Sequence, residues 1–423
     1  MNPKKVLLVA PVMSRSGYGV HARFVVDALT TRPDLFDLYV HPLNWGESSW
    51  ISQDSFKKSY YESLIHKKIA YTGHYDISVQ VTVPPEWQKV AKVNIGVTAG
   101  VETDKVPLKW LQISNSFDKL IVTSNHTAKG FLESKYDLEA TFNDEKYTLV
   151  GTDTPVEVVG YPIKDVEAED ITDKVVLEPE FNFLSITQLA PRKNMELLIR
   201  AFVEEFRNEN VGLLLKCHAK NNSTSDEIMI REALAGFVNK LGPRKCKVYH
   251  IHGCMTDEEI AGLYNHPRIK AYVTTTHGEG FGLPIFEATY SGLPVIVPAW
   301  SGHVDFLYAP ENPDGKGKKS KKTPHFEKIP YDLAPVEQVA LMEGIIEPGM
   351  QWCVPKFEKT KAALRNVYRG HAYRQKMANT LKEYNTNTYS VENQYKMMCE
   401  AVWSTYDSDK TRWKEDNDEI EVL

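Results

Sequence analysis

Apolar and polar positions follow two repeating series along this chain. Residues 6–10 form a short continuous apolar run, which predicts a buried strand. After a loop over 11–16, Val20, Phe24, Val25, Ala28 and Leu29 fall on one helical face. Runs over 93–97 and 120–123 predict further strands, the second followed by Ser124 and Asn125, residue types that cap a helix continuing through Phe131. A second series predicts strands over 183–188, 211–217, 247–252, 271–276 and 294–298. Between them fall helical patterns over 195–206, where Met195, Leu198, Phe202 and Phe206 share a face, then over 225–241 and 257–266. Strands apolar on both faces, alternating with helices, predict parallel sheets covered on both sides. The expected fold is therefore α/β, with two Rossmann-like doubly wound domains facing a central cleft. An acidic, proline-interrupted stretch over 140–180 marks the passage between them, giving domains over 1–170 and 171–390. From about residue 352 the pattern is helical, and 391–423 is expected to be a C-terminal helix with an acidic tail.

Composition narrows this picture without redirecting it. A domain holds roughly 100–200 residues, so 423 residues predict two or three cores. With 50 basic and 56 acidic side chains the net charge is −6, and 42% of residues are hydrophobic, which excludes intrinsic disorder and a dominant nucleic-acid-binding field. Five cysteines without a C-x-x-C pair argue against a disulfide framework and against a structural zinc site, and favour a reducing, cytoplasmic setting. Residues 4–13 have the outline of a short signal peptide, but Arg15 interrupts it and no small-x-small cleavage pattern follows. No stretch approaches the roughly 18 apolar residues of a membrane span, which leaves peripheral membrane contact open. The lysine-rich run over 316–322 reads either as a solvated loop or as a contact for an anionic surface such as an acidic glycan, phospholipid or nucleic acid.

The chemistry concentrates in one segment, residues 274–288. A strand ends in a glycine-rich turn, Pro284 suits the first turn of a helix, and Glu287 follows one turn later. Backbone approaches a ligand closely at such a turn, and the N–H groups of a helix start attract an anion. Glu279 in the turn and Glu287 on the helix add two carboxylates that accept hydrogen bonds from hydroxyls. The combination suits a sugar joined to a phosphate.

Glu279 and Glu287 are separated by seven residues, and the run from Glu279 through Ile296 resembles the E-x7-E signature of retaining GT-B glycosyltransferases, notably glycosyltransferase family 4. The resemblance implies that Glu287 binds the ribose hydroxyls of a nucleotide sugar and that Glu279 contacts the donor sugar. Gly280, Phe281, Gly282 and Leu283 then offer their amides to the sugar and its phosphates. Residues 185–194, followed by 195–202, resemble the family's glycine-arginine to lysine-glycine stretch, whose cations grip the donor diphosphate. Lys193 aligns with the lysine, Gln188 stands in place of the usual first arginine, Asn194 in place of the glycine, and Arg192 is the candidate second cation. Fixed cations stabilise the charge that grows on a departing nucleoside diphosphate. An Arg-Lys pair at a helix start opposes the helix dipole unless an anion is present.

Weaker signals lie outside these two segments. Gly17 and Gly19 lie in a glycine-containing loop that, by the resemblance, faces the donor phosphates; Gly17-x-Gly19-x-x-Ala22 also satisfies the loose dinucleotide fingerprint. Against that alternative, six residues separate Ala10 from Gly17, and no acidic residue closes the next strand, which reads Leu38-Tyr39-Val40-His41. Glu102 and Asp104 follow the strand 93–97, where the family often has a histidine facing the transferring sugar; they are acceptor-side candidates. His126 reads as a capping or surface residue, and residues 301–305 as a secondary contact. Paired carboxylates also occur in glycosidases, but the neighbouring cations fit a phosphate-bearing donor better. The resemblance implies a hexosyl- or related glycosyltransferase that retains anomeric configuration, uses no metal and no cofactor, and takes a nucleoside-diphosphate sugar as donor. The acceptor is open among glycan, lipid, protein, small molecule and modified nucleic acid. The alternatives are an NAD(P)-dependent oxidoreductase using the Gly17 loop and a non-catalytic glycan- or polyanion-binding protein. The family also sends its last helix back to the first domain, and 391–403 is the candidate.

Overall fold

Val6, Leu8 and Ala10 are sealed from solvent in the first strand of a computed structural model that describes residues 2–46, 48–51, 56–139, 146–220, 222–311 and 321–418. The chain divides into two compact units. One comprises residues 1–162, 343–347 and 391–423, the other 163–342 and 348–390.

The first unit is built on β1 (Lys4–Ala10), β2 (Phe36–Pro42), β3 (Ile77–Val81), β4 (Val93–Thr98) and β5 (Lys119–Val122), then the antiparallel pair β6 (Lys135–Glu139) and β7 (Lys146–Val150), then β8 (Val156–Val158). Its helices are α1 (Gly17–Thr30), α2 (Phe56–Ala70), α3 (Leu108–Ser114) and α4 (Asn125–Glu133). Six strands form one parallel sheet in the order β2-β1-β3-β4-β5-β8. Such strands are shielded on both faces, and β3, β4 and most of β1 are correspondingly buried. The chain leaves β1 to one side for β2 and returns on the other side for β3, so the loops after β1 and β3 diverge at a topological switch.

The second unit contains β9 (Asn182–Gln188), β10 (Gly212–His218), β11 (Lys247–Ile251), β12 (Ile269–Val273) and β13 (Val295–Pro298), then the antiparallel pair β14 (Tyr308–Pro310) and β15 (Lys322–Pro324). After these come β16 (Glu327–Ile329) and the antiparallel pair β17 (Tyr331–Pro335) and β18 (Gln351–Pro355). Its helices are α5 (Met195–Phe206), α6 (Thr224–Lys240), α7 (Asp257–Asn265), α8 (Leu283–Ser291), α9 (Phe357–Arg369) and α10 (His371–Thr388). The parallel sheet runs β11-β10-β9-β12-β13-β16. Counted among the strands of this sheet alone, this is the order 3-2-1-4-5-6, that of dinucleotide-binding Rossmann sheets, with its switch between β9 and β12. Phe183, Phe202 and Phe206 centre the core beneath α5 and α9. The chain ends in α11 (Val391–Asp418), which packs on α1 in the first unit; there Lys119 Nζ donates to the Ala401 carbonyl at 3.1 Å.

The 140–180 passage and residues 351–355 are among the stretches that differ from the sequence expectation. The 140–180 passage contains β8, which completes the first sheet although it has only three residues. Residues 351–355 are a strand, and helix starts only at Phe357, because Pro335 and Pro355 frame a short antiparallel pair whose Trp352 and Cys353 are buried. Residues 316–320 of the lysine-rich run lie outside the described residues, while Lys322 belongs to β15 and stands over the Tyr384 ring at 5.0 Å. No described helix is long and apolar enough to cross a membrane.

Candidate functional site

The loops after β9 and β12 leave the second sheet at its switch point, and they meet. Pro191–Lys193 form a single 3-10 turn, and Asn194 then takes left-handed dihedrals (φ 48°, ψ 44°) before α5 starts. Asparagine tolerates that conformation best after glycine, so Asn194 is conformationally equivalent to a glycine here. The turn aims both cations at one carboxylate. Lys193 Nζ lies 2.6 Å from Glu279 Oε1 and Arg192 Nη1 lies 3.1 Å from Glu279 Oε2. The guanidinium also donates to the Gly278 carbonyl, and the His277 amide donates to the Arg192 carbonyl at 2.8 Å. Thr275 Oγ1 donates to the Asn194 carbonyl at 2.8 Å.

Glu279 is 8% exposed. Burial by itself would raise its pKa; the charges of Lys193 and Arg192 overcome that and hold the carboxyl down at about 2. Its backbone is clamped from the loop after β13: the Glu279 amide donates to Ser301 Oγ at 2.7 Å, and the Gly302 amide donates to the Glu279 carbonyl at 2.9 Å. His303 backs this loop, with Nε2 at 2.7 Å from the Pro298 carbonyl.

Glycine is required at Gly282, where φ is +93° and α8 begins; Pro284 fills its first turn and Gly292 ends it in the left-handed region. Phe281 packs its ring against Phe286 and Phe306, so any ligand contact from this residue falls to its backbone. Glu287, on the second turn of α8, has both oxygens engaged: Oε1 with Lys164 Nζ at 3.0 Å, and Oε2 with the Tyr264 hydroxyl, which donates at 3.1 Å. Lys164 also pairs with Asp257 at 2.9 Å. Burial alone would lower the Lys164 pKa, but the two carboxylates raise it, so the ammonium stays charged. Asp257 opens α7, whose start is fixed by a capping box between Thr256 and Glu259. Lys164, Asp257, Tyr264, Glu287 and Tyr290 line a cavity of about 290 Å³. Gln188 turns away from the Glu279 cluster, its Nε2 donating to the Ala219 carbonyl at 2.8 Å.

In the first unit, Ser16 caps α1 by accepting from the Gly19 amide at 3.1 Å. Tyr18 pairs its hydroxyl with Thr98 Oγ1 at 2.8 Å and sets its ring 4.5 Å from that of Trp45. Burial raises the Tyr18 pKa, with the Glu102 charge acting in the same direction, so Glu102 belongs to the surroundings of the Gly17 loop. Asp104 instead acts on Tyr136, whose pKa burial raises to about 12. The two glycines are unequal. A Cβ on Gly19 would sit 1.9 Å from the Ser14 carbonyl oxygen, whereas a Cβ on Gly17 would point into open space. Gly19→Ala is therefore expected to lower stability by about 1–3 kcal/mol and Gly17→Ala to leave it nearly unchanged, as read from urea midpoints.

The sequence singled out Arg192, Lys193 and Glu279, which the fold brings together, and Glu287, which lies on the adjoining helix. It did not single out Lys164, Tyr264, Trp352 or Cys353, whose contacts span 23 to 123 residues. Ser301 and His303 fell within a stretch ranked as secondary.

No protein-family model matches the chain, and no curated protein matches it. Its structure is similar to sucrose-phosphate synthase from Thermosynechococcus elongatus (TM-score 0.61, 15% identity, covering 96% of this chain and 100% of that one). It is similar to HepE from Anabaena, solved in complex with UDP and glucose (TM-score 0.59, 13% identity, 95% and 100%). It is also similar to the E. coli trehalose-6-phosphate protein bound with UDP-2-fluoro glucose (TM-score 0.57, 11% identity, 94% and 98%). At these identities the likeness establishes the fold, which is GT-B.

Proposed function

We propose that this chain is a GT-B glycosyltransferase that moves a sugar from a nucleoside-diphosphate donor to an acceptor hydroxyl. The observation that carries the reading is the Arg192–Glu279–Lys193 cluster at the switch point of a Rossmann-ordered sheet, directly before α8. Two cations fixed beside one carboxylate suit a diphosphate next to a sugar. The cations meet phosphate oxygens, and the carboxylate accepts hydroxyl hydrogens. The three similar structures, two of them solved with UDP or a UDP sugar, support the donor class.

In this reading residues 171–390 carry the donor side, 1–170 the acceptor side with Glu102 and Asp104 as its candidates, and 391–423 return to the first unit. The bond from anomeric carbon to phosphate oxygen breaks while the acceptor oxygen bonds to that carbon. Arg192 and Lys193 stabilise the departing diphosphate, and a phosphate oxygen takes the acceptor proton, which gives retention without a metal. Family 4 is the retaining family the sequence resembles, and a cytoplasmic setting fits it.

Glu287 holds the ribose hydroxyls, with Lys164 and Tyr264 setting its carboxylate. Hydrogen bonds to a charged group contribute about 1.5–3 kcal/mol, so Glu287→Ala is expected to weaken nucleoside-diphosphate binding about ten- to a hundredfold. Isothermal titration with UDP and GDP checks this; unchanged affinity in a folded variant removes Glu287 from the donor site.

A further inference from the structure

His277 stands two residues before Glu279 in the loop that leaves β12, its amide on the Arg192 carbonyl and its side chain turned to another partner. Its ring lies flat on Trp352 of β18, centroids 4.3 Å apart and planes within 6°. Its Nδ1 is 2.6 Å from the Cys353 carbonyl oxygen, and the Cys353 amide donates back to the His277 carbonyl at 3.2 Å. A carbonyl only accepts, so the proton of the neutral ring sits on Nδ1 and Nε2 presents a lone pair. Burial lowers the imidazole pKa, the Cys353 carbonyl and Glu337 oppose this, and Arg192 adds to it; the net result is a ring neutral at pH 7. Among the described residues none donates to Nε2, yet the residue keeps 8% of its surface exposed. The loop is tied to the cations through the His277 amide and the Gly278 carbonyl, both bonded to Arg192.

A lone pair held in this way has nothing to offer a diphosphate, whose oxygens are acceptors themselves. It matches a hydroxyl donor, and the cluster it adjoins is the one assigned above to phosphate and sugar. Resting on the nucleotide-sugar reading, we infer that His277 Nε2 accepts a hydrogen bond from a hydroxyl of the transferred sugar, with Trp352 and Cys353 as the residues that position the ring. The stack fixes the ring plane and the carbonyl fixes the tautomer, so the acceptor nitrogen is held in one orientation before the donor arrives.

The test is isothermal titration of the wild-type chain, His277→Phe and His277→Gln with UDP, UDP-glucose, GDP and GDP-mannose. His277→Phe keeps a flat ring on Trp352 without the acceptor. It is expected to bind the nucleoside diphosphate within about twofold of wild type and the matching nucleotide sugar about five- to tenfold more weakly. His277→Gln, which restores an acceptor oxygen, is expected to recover part of that loss. Equal weakening of diphosphate and nucleotide sugar shows a structural role and overturns the inference, as does unchanged binding of both. If the wild-type chain binds none of the four ligands, the donor reading itself fails and the inference falls with it.

Discussion

Lys193→Ala is expected to lower turnover about a hundred- to a thousandfold, the usual cost of losing one fixed charge partner at a developing anion. The ammonium is 2.6 Å from Glu279 and its side chain is 14% exposed, so it is neither free to wander nor fully screened by water. It attracts the diphosphate before bond cleavage and more strongly after, and only that difference accelerates the reaction. The loss should appear mainly in kcat, measured by nucleoside-diphosphate release. Glu279→Gln gives the complementary result. With the carboxylate neutralised, Arg192 and Lys193 lose their shared counter-charge. UDP is then expected to bind more tightly while turnover falls, because the sugar contact is impaired. A variant whose UDP affinity drops instead shows that Glu279 organises the cations more than it competes for them.

Acid should unfold the first unit early, and His21 is the reason. This side chain on α1 is 0% exposed, packed beside Tyr161 and Phe24, and neither ring nitrogen has a hydrogen-bond partner among the described residues. Burial lowers its pKa from 6.5 to about 3. Between those values the unfolded chain binds a proton that the folded chain refuses. The stability contributed by the neutral ring is therefore complete above about pH 6.5 and is lost as pH falls toward 3. From pH 6.5 to pH 4 the loss corresponds to about 3 kcal/mol. His21→Leu removes both the unpaired imidazole and its titration. Its urea midpoint should equal or exceed that of wild type at pH 7, and the gap between the two proteins should widen on acidification. Parallel curves for the two proteins from pH 7 to pH 4 would mean that His21 is not the acid-sensitive group.

Much of this site was legible because the informative residues are close in sequence. Glu279, Gly282, Pro284 and Glu287 fit within a single strand–turn–helix whose start and stop are written in glycine and proline. Arg192, Lys193 and Asn194 likewise fit within one turn. What the sequence could not show is what those residues lean on. Glu287 is held by Lys164, 123 positions earlier, and His277 by Trp352, 75 positions later; neither partner carries a local mark of its role. Residues 351–355 read as helical because five residues are too few to reveal strand alternation, and the antiparallel partner at 331–335 lies beyond any local window. β8 and β16 were missed for a similar reason: each has three residues and becomes a strand by pairing at the edge of an existing sheet. Gly17 and Gly19 looked alike in sequence, yet only Gly19 is pressed against backbone.

If the second unit binds a nucleoside-diphosphate sugar through Arg192 and Lys193, isothermal titration of UDP-glucose, GDP-mannose, NAD and NADP into the wild-type chain and into Lys193→Ala will show it. One of the nucleotide sugars is expected to bind the wild-type chain, Lys193→Ala to weaken that binding at least about tenfold, and neither dinucleotide to bind. Binding of NAD or NADP alone, or nucleotide-sugar binding indifferent to Lys193→Ala, contradicts this assignment.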